Sequence, residues 1–108
     1  MIYNLITSPD FLKDLKRLSK KYPSISNDIA QLGDELKIHP DSGIPIGQSC
    51  YKIRLAIKSK GKGKSGGARV ITYVYVSGKI VYLLSIFDKS ERENLSDAEL
   101  KELLKKIK

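Results

Sequence analysis

Cys50-Tyr51-Lys52-Ile53-Arg54-Leu55-Ala56-Ile57-Lys58 places Tyr51, Ile53, Leu55 and Ile57 at alternate positions, with Lys52 and Arg54 between them. A period of two is the signature of a β-strand with one face buried and the other carrying charge. Residues 68–76 repeat the pattern. Arg69, Ile71, Tyr73 and Tyr75 share one face, and Val70, Thr72, Val74 and Val76 share the other. Residues 79–88 read as a third strand, with Ser77-Gly78 as a two-residue hairpin connection. The mainly aliphatic faces are expected to pack on helices, which leaves Lys52, Arg54 and Arg69, with nearby tyrosines, on an open face.

Outward from these strands, residues 41–49 carry the Gly and Pro punctuation of a loop. Upstream, residues 2–7 read as a short strand, and Ser8-Pro9-Asp10 opens a helix with a capping hydroxyl, proline at the first position and an early acid. Phe11, Leu15 and Leu18 recur at helical spacing in it. Tyr22-Pro23-Ser24 breaks that helix and begins another, whose stripe is Ile25, Ile29, Leu32 and Leu36. His39-Pro40 ends it. Downstream, Ser96-Asp97-Ala98-Glu99 is a capping box for a last helix bearing Leu100, Leu103, Leu104 and Ile107. The order β-α-α-β-β-β-α predicts one α+β domain over residues 1–108. An N-terminal strand and helical hairpin pack on a mainly antiparallel four-stranded sheet, and the C-terminal helix is expected to be mobile.

The charge is unevenly placed. The chain carries twenty Lys/Arg against twelve Asp/Glu, net +8. Residues 1–44 and 90–108 are each balanced, so the whole excess lies in residues 45–89, where nine cations face the single acid Asp88. An ordinary solvated surface mixes signs; a concentrated positive field points to a polyanion, with nucleic acid the commonest. Cations interleaved with aromatic rings suit a single strand, which offers phosphates and stackable bases. Cys50 is the only cysteine and His39 the only histidine, which excludes a disulfide framework and a Cys-based metal site. No run approaches the ~18 apolar residues of a membrane span, and no leader-like segment opens the chain. These features predict a soluble, metal-free, cofactor-free domain of a reducing compartment, the cytoplasm by default.

Lys58-Ser59-Lys60-Gly61-Lys62-Gly63-Lys64-Ser65-Gly66-Gly67 contains Gly-Lys-Ser, but the glycine a phosphate-binding loop needs five residues earlier is Lys58 here. Strands flank the segment on both sides, so it is not a nucleotide-binding P-loop. Four lysines within seven residues (Lys58, Lys60, Lys62, Lys64) repel one another, and an open loop that orders on meeting an anion is expected.

The chain has no Ser-His-Asp set and no Cys-His pair. Lys, Arg and Tyr remain, and these can cleave RNA because RNA carries its own nucleophile, the 2′-hydroxyl. The protein must orient that group, accept its proton and neutralise the charge growing on phosphorus, a task suited to the planar guanidinium. A lysine could serve as base where neighbouring cations lower its pKa, and crowding of Lys52, Arg54 and Arg69 would act in that direction.

Residues 50–55, 61–71, 82–91 (Ser85-Ile86-Phe87-Asp88-Lys89-Ser90-Glu91 among them) and Asn94-Leu95-Ser96 resemble the RelE/ParE toxin superfamily. The likeness is greatest to HigB-like members with a Lys/Gly-rich hairpin. The resemblance implies a toxin of a type II toxin–antitoxin pair, a ribosome-dependent mRNA endonuclease (mRNA interferase) neutralised by a cognate antitoxin. Its partners would be that antitoxin, the ribosome and mRNA, with no metal and no membrane. It implies Lys52, Arg54, Arg69 and Lys89 as catalytic residues; by their charge the loop lysines Lys58, Lys60, Lys62 and Lys64 are expected to track RNA phosphates, and Tyr73 is expected to stack on a base. The chain departs from the type member in having Ser90 where an arginine follows the matched lysine, and no tyrosine near Ser96. The superfamily also holds members that poison DNA gyrase, and a non-toxic nucleic-acid-binding domain would share the same charge pattern.

Overall fold

The computed structural model describes residues 2–61 and 63–107. Strand β1 (Asn4–Thr7) leads into helices α1 (Pro9–Lys21) and α2 (Ile25–Ile38), followed by strands β2 (Ile44–Gly47), β3 (Cys50–Leu55), β4 (Ala68–Tyr75) and β5 (Ile80–Asp88), then helix α3 (Asp97–Lys105). The five strands form one sheet in the order β1-β5-β4-β3-β2. β1 runs parallel to β5; the other three pairings are antiparallel.

The cap at Ser8 is also a tertiary tie. Its hydroxyl accepts from Phe11 N at 3.1 Å and donates to Leu84 O at 3.0 Å, so the start of α1 is fastened to β5. Phe11 and Leu18 of α1 and Ile25, Ile29, Leu32 and Leu36 of α2 bury against Ile53, Leu55, Ile57, Val70, Val81, Leu83 and Ile86. This is the expected helical hairpin on the aliphatic sheet face. Gly33 lets α2 approach β1 closely, since a Cβ there would stand 2.8 Å from Leu5 Cδ1.

Four features depart from the sequence expectations. The segment expected to be all loop contains β2, which pairs with β3 and makes five strands instead of four. Pro45 is tolerated because β2 is an edge strand, where a missing N–H costs no ladder bond. Gln48 and Ser49 connect β2 to β3 with positive φ values of 55° and 61°, the handedness of a primed two-residue turn. The β4–β5 turn is longer than Ser77-Gly78 alone. Tyr75 pairs with Ile80, so the turn spans residues 76–79, closed by Lys79 N to Val76 O at 3.1 Å.

The register of β5 also slips between Ile71 and Thr72 of β4, whose partners are Ser85 and Leu83. This bulge inverts the face alternation, so Leu83 and Ile86 both face the helical hairpin while Leu84 and Phe87 face away. Finally, the second sheet face is not open along its length. Cys50, Ile71, Leu84 and Phe87 form a second core with Leu100 and Leu104 of α3. The helix has its capping box at Ser96 and Glu99, and Lys106 reaches Asp10 of α1 at 2.8 Å. A helix expected to be mobile is instead docked by two leucines and an ion pair. No helix among the described residues is long and apolar enough to cross a membrane.

Candidate nucleic-acid interface

The antiparallel register of β3 and β4 sets Arg54 directly opposite Arg69, and Lys52 opposite Ile71. Directly opposed residues share a sheet face with Cβ atoms roughly 5 Å apart. Lys52, Arg54 and Arg69 are therefore gathered at one end of the second face. Lys89 follows β5 at the same end, its N–H donating to Gly67 O at 3.1 Å.

The four cations sit in different states. The Arg54 side chain is exposed, with no hydrogen bond or ion pair among the described residues. Lys89 is exposed as well. Lys52 is half-buried and donates from Nζ to Asn94 Oδ1 at 2.6 Å. Arg69 is 1% exposed. Its Nη1 donates to Lys64 O and Ala68 O, both at 3.1 Å, and its Nη2 to Ser65 O at 3.2 Å. Glu93 Oε1 stands 3.6 Å from Nη2, while Nε is buried with no hydrogen-bond partner. The segment after β5 thus lays Glu93 and Asn94 over two of the gathered cations. Neither was singled out for this role from sequence, because each lies more than twenty residues from the cation it covers.

Asp88, the one acid of the basic segment, is fully buried. It accepts from Lys60 Nζ at 2.7 Å, from the Tyr22 hydroxyl and from Ser90 N at 3.0 Å, with Lys21 Nζ at 3.8 Å. Burial alone would push its carboxyl up. The hydrogen bonds from Lys60, Tyr22 and Ser90 outweigh that and hold it well below the usual carboxylate range. A lone acid amid nine cations is the sequence signal that marks this hub.

Asp88 also governs the Lys/Gly loop joining β3 to β4. Lys60 is committed to it, with its side chain only 12% exposed. Ser59 exchanges hydrogen bonds with Ser24, and Lys58 N donates to Asp28 Oδ2 at 3.2 Å. Two short 3₁₀ turns, Lys58–Lys60 and Lys64–Gly66, form the loop's flanks. At its close, Gly67 is required by space: a Cβ there would collide with Leu55 O. The loop is therefore pinned at both ends rather than open throughout. Lys58 and Lys64 are exposed; Lys62 lies outside the described residues.

Tyr73 is placed away from this end. It lies four residues along β4 from Arg69, roughly 13 Å, and stacks on Tyr82 with ring centroids 5.8 Å apart, beside the α3 core. Phe87, opposite Arg69 in register, is covered by the Arg92 guanidinium at 5.1 Å. Among the described residues no group of three or more His, Cys, Asp or Glu could hold a metal ion.

The same arrangement of elements occurs in solved structures of an E. coli toxin. A double mutant of E. coli toxin RelE in the free state superposes with TM-score 0.62 at 20% identity, covering 98% of this chain and 94% of that one. The isolated E. coli RelE toxin gives 0.53 at 20% identity, covering 98% and 99%. The same mutant in complex with an antitoxin RelBc peptide gives 0.52 at 21% identity, covering 88% and 100%. These likenesses establish a RelE-like fold. Residues 41–108 match the family described as the RelE toxin of the RelE/RelB toxin–antitoxin system, and the chain belongs to that family. It is accordingly a toxin of the type II toxin–antitoxin class, whose members have a cognate antitoxin as partner.

Proposed function

We propose that this toxin is a ribosome-dependent mRNA endonuclease of the cytoplasm, which cuts by attack of the RNA 2′-hydroxyl on the adjacent phosphate. The observation that carries this reading is the cross-strand pair Arg54–Arg69 with Lys52 and Lys89 at the same end of the sheet. Attack forms the bond from the 2′-oxygen to phosphorus and breaks the bond to the 5′-oxygen, leaving a cyclic phosphate and a 5′-hydroxyl. Two negative oxygens must be stabilised as phosphorus becomes five-coordinate, a task that two arginines from neighbouring strands suit. Exposed Arg54 meets the phosphate first, and Arg69 joins when Glu93 gives way. Lys52 and Lys89 supply the amines nearest the two oxygens that exchange protons. Lys58 and Lys64 bind flanking phosphates, whereas Lys60 acts through the loop it anchors.

The same geometry supports a dependence on the ribosome. Arg69 is shut and Lys52 engaged in the free protein, so an external scaffold that presents a taut, oriented strand would supply what the site lacks. The antitoxin is expected to cover the basic face by displacing α3. The test is a reconstituted translation reaction with new 5′ ends mapped on the messenger, and Arg54→Ala as control because its side chain supports nothing else. Cuts that require ribosomes and vanish in the control are expected. Intact messenger with stalled DNA supercoiling would assign the toxin to gyrase instead.

A further inference from the structure

A groove of about 560 Å³ runs between α2 and the edge of β3, a volume that suits one nucleotide or a similar ligand. It exists because β2 parts from β3 at Lys52, the residue paired with Ile44, so no strand among the described residues covers the edge beyond it. Leu32, Ile53 and Leu55 make its apolar floor. Its walls differ in sign. The loop side brings Lys58 and Lys64, the helix side brings Gln31 and Glu35, and the edge of β3 runs between them from Lys52 to Ala56. Gln31 and Glu35 are four residues apart, so they share one helix face, and both are exposed with no side-chain hydrogen bond among the described residues. Asp28 also lines the groove but is already satisfied by Ser24 Oγ at 2.8 Å and Lys58 N at 3.2 Å.

We propose that this groove is a base-reading subsite for one nucleotide of single-stranded RNA, with guanine preferred. The inference rests on the nuclease reading above and names the site that selects its substrate. A nucleotide has the same polarity as the groove: an anionic phosphate for the cation wall, a flat apolar base for the floor, and a donor-bearing edge for the helix wall. An extended anionic peptide would satisfy the cations but set its charge against Glu35. Guanine alone offers two adjacent donors, N1–H and the N2 amino group, to both oxygens of one carboxylate; adenine and cytosine offer one amino group, and uracil one ring N–H. Arg54 belongs to the β3 edge that borders this groove and carries its side chain on the face of the cation cluster, so a base held here lies across that edge from the phosphate that would be cut.

The experiment titrates the full chain with each of the four nucleoside 3′-monophosphates, following amide shifts by NMR, for the wild type and Glu35→Gln. Guanosine monophosphate is expected to bind about tenfold tighter than uridine monophosphate, shifting Gln31, Glu35, Ile53 and Arg54. Glu35→Gln should reduce that preference to about twofold. Removing a negative charge raises affinity for any anion, so a uniform rise for all four nucleotides would overturn the proposal. So would shifts confined to residues outside the groove, or an extended peptide that moves the Ile53–Ala56 amides where nucleotides do not. In the translation assay, Glu35→Gln should redistribute the cut sites without abolishing cutting. Selective guanosine binding with no cutting by the wild type would refute the nuclease and leave the subsite standing.

Discussion

Replacing Asp88 with asparagine should cost this protein about 3 kcal/mol. The figure follows from the surroundings of the carboxylate. Asp88 is fully buried, and Lys60, whose side chain is 12% exposed, donates to it at 2.7 Å. Asparagine keeps the shape but leaves the Lys60 ammonium without a counter-charge and turns an amide donor toward donors. Breaking a buried pair by removing one partner costs about 3–5 kcal/mol, and the residual exposure of Lys60 sets the lower end. The ion pair with Lys21 adds little, because that lysine is 63% exposed and its distance is 3.8 Å. For a domain of this size the loss corresponds to a fall of at least about 12 °C in melting temperature. The carboxyl is held below its ordinary pKa, so its stabilisation is complete above the unfolded value of about 4 and fades as pH falls through and below that value. Wild type should therefore lose stability in acid more steeply than Asp88→Asn. Calorimetry of both, with Lys60→Met and the double variant, closes a double-mutant cycle. A single-variant loss under about 1 kcal/mol, or no coupling between the two sites, would refute the hub assigned to Asp88.

Glu93→Gln removes the carboxylate that faces Arg69, so affinity for a short single-stranded RNA should rise roughly two- to fivefold; a fall would mean that Glu93 assists binding. Arg54→Lys keeps the charge but loses the planar fork, and should suppress cutting while leaving the melting temperature within about 2 °C, since an exposed, unpaired side chain contributes little to stability. Ser49→Gly should stabilise the protein by about 1 kcal/mol, because Ser49 holds a φ of 61° that glycine adopts without strain. Denaturant unfolding checks it, and unchanged stability would count against that turn.

Alternation of Ile53 and Leu55 with Lys52 and Arg54 and the helical stripes of α1 and α2 were legible because each is a property of neighbouring residues. So were the Ser8 and Ser96 caps. The confinement of the positive charge to residues 45–89 needed only counting. Strand β2 escaped notice because its Gly and Pro carry loop signals, and only pairing with β3 overrides them. The bulge in β5 leaves no trace in the alternation until β4 supplies a register to slip against.

Local chemistry thus determined the strands, the hairpin of helices and the polyanion-seeking sign of one segment. Tertiary structure alone decided which cations are available. It spent Lys60 on Asp88, shut Arg69 beneath loop carbonyls and Glu93, and engaged Lys52 with Asn94. It left Arg54 free beside a groove that opens where β2 leaves the sheet. Those contacts join residues distant in sequence, and whether a charge is spent or free depends on what the fold brings within a few ångströms of it.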